Sequence, residues 1–111
     1  MNDEDIIRLY FDRDETAITE TSAKYGKYCY SIANNILHNH EDSEECVSDT
    51  YQKTWESIPP QKPNIFSAFL GRITRNLSIN RYKLNTAFFY YFSVFSALEI
   101  SGFMVSFGIS F

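Results

Sequence analysis

All three prolines of this 111-residue chain fall between Pro59 and Pro63, and on both sides of them apolar residues recur at spacings of three and four. Proline lacks the amide that a helix interior needs, so IPPQKPN is a stiff loop between helical stretches. After it, Phe66, Phe69, Leu70, Ile73 and Leu77 form the packing stripe of an amphipathic helix over Ile65 to Lys83, with Asn64 as its cap. Before it, periodicity predicts a short helix over Asp3 to Phe11, with Ile6, Ile7, Tyr10 and Phe11 on one side. A long helix over Glu15 to Leu37 and a third over Ser43 to Ser57 follow. No segment up to Lys83 alternates as a half-buried strand would. The chain therefore reads as all-α, a three to four helix bundle over 1–83 with an atypical apolar C-terminal tail over 84–111.

The helix boundaries have local signals. Asn39 can take the left-handed conformation that ends the long helix. Asp42-Ser43-Glu44-Glu45 has the layout of a reciprocal capping box opening the third. That helix is expected to bury Val47, Thr50 or Tyr51, Thr54 and Trp55, leaving Glu45, Ser48, Asp49, Gln52, Lys53 and Glu56 on its polar face.

The net charge of -4 conceals a partition. Acidic residues dominate Met1 to Ser57. From Ile58 to Lys83 the charges are Lys62, Arg72, Arg75, Arg81 and Lys83, with no acid among them, and beyond that only Glu99 is charged. Fields act within a Debye length of about 8–10 Å, so this local sign matters more than the total. A one-signed basic helix carrying Asn76 and aromatic neighbours can neutralise phosphates, read base edges and stack on unpaired bases, which makes nucleic acid the first expected partner.

Other chemistry is poorly represented. No nucleophile, base and orienter form a recognisable motif, and no glycine-rich loop could cradle phosphate, so the expected action is binding and not catalysis. His38, His40 and Cys46 match no strong zinc spacing, and neither metal nor cofactor is expected. Cys29 and Cys46 read as buried reduced thiols of a cytoplasmic protein.

The run DSEECVSDTYQKTWESIP followed by NIFSAFLGRITRNLSINRYK resembles region 2 of the bacterial sigma-70 family, specifically its extracytoplasmic-function group. The likeness covers roughly Asp5 to Lys83. It implies a module that binds core RNA polymerase and the promoter minus-10 element in transcription initiation. By motif, Asp42, Glu45, Ser48, Asp49, Gln52 and Lys53 would meet the clamp coiled coil of the polymerase beta-prime subunit. The loop from Ile58 to Asn64, including Lys62 and Asn64, would sit where the family captures a flipped base. Arg72, Arg75, Asn76, Asn80, Arg81 and Lys83 would line the promoter-facing surface. The resemblance also admits an anti-sigma factor as a partner.

At Leu84 the likeness stops. A complete member continues through a polar linker into region 4, whereas LNTAFFYYFSVFSALEISGFMVSFGISF is rich in aromatic residues and has no Lys or Arg, so truncation before region 4 is expected. Three accounts of the tail stay open: a membrane span over Phe88 to Phe111, an apolar cover, or disrupted coding sequence. Two alternative functions accompany them, a regulatory competitor for core polymerase and a membrane-tethered helical protein.

Overall fold

The computed structural model describes the backbone of residues 1–101 and the side chains of residues 1–96. Four helices occur there, α1 (Asp3–Phe11), α2 (Thr16–Leu37), α3 (His40–Ser57) and α4 (Phe66–Ser101), with no strand among the described residues. The all-α expectation therefore holds, with four helices. The chain divides into two compact units, Met1–Arg81 and a second beginning at Tyr82.

Asn2 caps α1 by accepting the Asp5 amide at 2.8 Å, and Asp3, Glu4 and Asp5 place negative charge where the helix dipole favours it. Ile6, Ile7 and Tyr10 are buried as the spacing requires, but Phe11, expected on the same side, lies at the edge of that stripe, about 100° beyond Tyr10, and is exposed. The core of the first unit joins these residues to Ala17 and Cys29 of α2, Ile58 of the loop, and Phe66, Phe69 and Leu70 of α4. Tyr10 lies at its centre, its ring 6.1 Å from those of both Trp55 and Phe66. The Thr21 hydroxyl donates to the Ala17 carbonyl, so at 2.6 Å it accepts from Tyr10 and satisfies that buried phenol.

Two helix boundaries differ from the local reading. His38, not Asn39, adopts the left-handed conformation, with φ 50°, and its amide closes α2 on the Asn34 carbonyl. Asn39 is extended and caps α3 instead, its side chain accepting the Asp42 amide at 2.8 Å. Asp42 and Glu45 consequently lie within α3 and form no capping box at its start. At α4 the first helical bond runs from the Phe69 amide to the Ile65 carbonyl, which puts Ile65 at the cap position and Asn64 one residue outside it.

Small polar side chains fill the face that α3 turns inward. Ser43, Cys46, Thr50 and Thr54 are buried there, as are Thr74 and Ser78 of α4, and the Thr50 and Thr74 hydroxyls meet at 3.0 Å. Val47 and Trp55, expected inside, are only half-buried. The three threonine hydroxyls can occupy such a seam because each reaches its own helix: Thr50 donates to Cys46, Thr54 to Thr50 and Thr74 to Leu70, each four residues back. Gly71 serves close approach. A Cβ there would stand 2.7 Å from the Tyr28 hydroxyl and 3.5 Å from Ile32 of α2.

No helix among the described residues is long and apolar enough to cross a membrane. The span expected over Phe88 to Phe111 extends outside those residues.

Candidate nucleic-acid interface

Burial of Leu70, Thr74 and Ser78 sets which side of α4 faces outward. Arg72, Arg75, Asn76 and Asn80 are all exposed, and their spacing places them as neighbours along the helix surface. No acidic side chain interrupts them between Ile58 and Tyr82, so their fields add. Lys83, also exposed, belongs to the second unit.

Arg81 behaves differently from the other basic residues. Its Nη2 donates to Asp42 Oδ1 at 2.9 Å and to Glu45 Oε1 at 2.6 Å, bridging α4 to α3. The bond to Glu45, together with the charge of both carboxylates, raises the guanidinium pKa further. One residue expected on the promoter-facing surface is thus joined to two expected on the polymerase-facing one.

The remaining polar face of α3 is open. Ser48, Asp49, Gln52 and Lys53 are exposed, and Asp49 makes no ion pair among the described residues. Gln52 donates to Glu56 at 2.9 Å, a contact along the helix that leaves the face accessible. His40 is engaged through both ring nitrogens, Nδ1 with the Tyr30 hydroxyl at 2.8 Å and Nε2 with Glu44 at 3.4 Å.

Lys62 and Asn64 project from the proline loop between two concavities. One, of about 450 Å³, is lined by Gln61, Lys62, Asn64, Ile65, Phe69 and Arg72, so its only charged walls are basic. The other, of about 410 Å³, carries Asp3 and Glu4 beside Arg8 and Lys62 and has no net charge preference. The Asp3 carboxyl is raised by burial, but bonds from Lys24 at 2.7 Å and from the Tyr25 hydroxyl more than offset this and hold it below its ordinary value. Anionic backbone is therefore favoured at the first concavity, which links the loop to α4.

What holds the loop was not legible from periodicity. Arg13, in the turn between α1 and α2 with φ 55°, donates from Nη1 to the carbonyls of Trp55 and Ile58, both at 2.9 Å. Its guanidinium carbon lies 3.7 Å above the Trp55 ring. One side chain thus satisfies carbonyls left open at the end of α3 and fixes where the loop departs. The sequence signal was only the break in helical periodicity at Asp12-Arg13-Asp14.

With this geometry in place, a comparison with protein families is decisive: the family described as Sigma-70 region 2 matches residues 23–87. The chain belongs to the sigma-70 region 2 family. Region 2 is the part of a sigma factor that takes part in RNA polymerase binding and promoter melting. The match enters within α2 and takes in α3, the loop and the beginning of α4, so α1 lies outside it although the resemblance was read from Asp5. At the other end it runs four residues past Lys83. No curated protein and no solved structure gives a significant match.

Proposed function

We propose that this region 2 belongs to an extracytoplasmic-function sigma factor and acts by association alone, binding core polymerase through α3 and the promoter minus-10 element through α4 and the proline loop. The observation that carries this reading is the segregation of charge: an exposed polar face with Asp49 on α3, and on α4 a face of Arg72, Arg75, Asn76 and Asn80 without an acid. Acidic side chains on the polymerase-facing helix suit a basic partner surface, and their exclusion from α4 avoids repelling phosphate. The concavity formed by Lys62, Asn64, Phe69 and Arg72 offers two cations, an amide and an aromatic edge to an unstacked base and its phosphate. Extruding a base costs a few kcal/mol, least where the strand is already single, and a site held rigid by Arg13 offsets more of that cost than a loose one.

The test separates the two partners. Purified core polymerase should retain the full chain, and Asp49→Lys should abolish retention without changing helicity. A single-stranded minus-10 oligonucleotide should bind the full chain in a salt-dependent way, and Arg75→Ala with Asn76→Ala should weaken it at least tenfold. Retention unaffected by Asp49→Lys would remove α3 as the polymerase contact. Unchanged DNA affinity in the double variant would remove α4 as the reader.

A further inference from the structure

The second unit presents an apolar helical surface that the sigma reading leaves unused. From Leu84 to Ser96 there is no charged residue, and Leu84 to Phe95 are all exposed, Phe88 at 71%, Tyr91 at 72% and Phe95 at 61%. At about 100° per residue, Leu84, Phe88, Tyr91, Phe92, Val94 and Phe95 share an arc of roughly 160°. Asn85, Thr86 and Ser93 occupy the opposite side, with Phe89 and Tyr90. Within the arc, Leu84, Phe88, Tyr91 and Phe95 are spaced four, three and four residues apart, the interval that lets one helix seat side chains between those of another.

We infer that this face is a self-association surface, seated against the same face of a second copy of the chain. Three observations favour that occupant. Six large apolar side chains exposed to this degree offer on the order of 600 Å² per copy, or about 1,200 Å² for a pair, the lower bound of a stable interface. Flanking charges normally set partner choice in paired helices; none lies between Leu84 and Ser96, the nearest along α4 being Lys83 and Glu99, so an antiparallel two-fold arrangement complements itself along this stretch without setting like charges together. A lipid surface fits less well, because helices lying in a headgroup layer carry Lys and Arg on the polar side and this one has none between Leu84 and Ser96.

Analytical ultracentrifugation of the full chain tests this independently of the sigma assignment. The parent is expected to sediment with the mass of two copies at micromolar concentration and to fall towards one copy on dilution. Phe88→Glu with Phe95→Glu should give one copy, and Phe95→Ala, which keeps helix propensity, should weaken pairing about tenfold. Phe89→Glu, on the opposite side, should leave the pair intact, with circular dichroism confirming helix content throughout. A single-copy parent, a polydisperse parent, or equal disruption by Phe89→Glu would overturn the inference. So would a single-copy parent that floats with phosphatidylcholine vesicles, which would make lipid the occupant.

Discussion

Arg81 Nη2 stands 2.6 Å from Glu45 Oε1, closing a contact between residues 36 positions apart in the sequence. Because the same nitrogen also meets Asp42, the last basic residue of the first unit is committed to α3. The bridge adjoins two surfaces proposed to bind different partners, so a substitution in it reports on both.

Arg81→Ala should therefore cost folding stability more than DNA affinity. Partly exposed ion pairs contribute about 0.2–1 kcal/mol, and urea denaturation of the variant should show a loss in that range. Its affinity for single-stranded DNA should change less than twofold, whereas Arg75→Ala should lower the salt slope by about one. Equal losses of affinity for the two variants would show that Arg81 leaves its carboxylates to meet phosphate.

Arg13→Ala should destabilise the fold by about 1–3 kcal/mol, through two lost hydrogen bonds to carbonyls and the contact with the Trp55 ring. Trp55 is the single tryptophan, so its fluorescence reports the change directly. An emission spectrum identical to the parent's would contradict the stacked geometry.

Ser78 Oγ is buried and makes no well-formed hydrogen bond among the described residues; its polar neighbour there is the Cys46 thiol, which burial pushes up and the Ser78 hydroxyl partly lowers, a weak contact that leaves the hydroxyl poorly satisfied. Ser78→Ala removes that poorly satisfied hydroxyl and gains helix propensity, and should raise stability by about 0.5–1 kcal/mol. Thr74→Ala, which deletes the buried hydroxyl that bonds the Leu70 carbonyl and packs against Thr50, should lower it by about 1–2 kcal/mol. Destabilisation by Ser78→Ala would mean that the hydroxyl is well satisfied after all.

The Asp3–Tyr25 contact predicts two limits of pH. Burial, the bond to Asp3 and its charge push the Tyr25 phenol from 10.0 to about 12. A raised folded value means that the contribution is complete below the unfolded value and disappears as pH rises from 10 to about 12. Asp3, held below its ordinary 3.8, contributes above that value and loses its contribution as pH falls through the lowered one. Tyr25→Phe should flatten the alkaline limb of stability measured by urea denaturation. A limb as steep as the parent's would assign it to other tyrosines.

How much could be read in advance follows from how local each signal is. The spacing of Ile6, Ile7 and Tyr10, and of Phe66, Phe69 and Leu70, was sufficient to place helices and their packing stripes. The separation of acid from base was visible without coordinates, as was the family pattern around Trp55 and Arg75. The buried ridge of Thr50, Thr54 and Thr74 was legible only in part, because a hydroxyl that bonds the carbonyl one turn back can be buried while counting as polar.

The sequence by itself determined an all-α body with a stiff proline loop and a basic face on α4, since helical periodicity, missing amides and charge sign are properties of neighbouring residues. Tertiary structure alone decided that Asn39 and not Asp42 caps α3, that Arg13 holds the loop from 45 residues away, and that Arg81 faces two carboxylates instead of solvent. Those choices depend on which groups the folded chain brings within about 3 Å, and distances between remote residues carry no period along the chain.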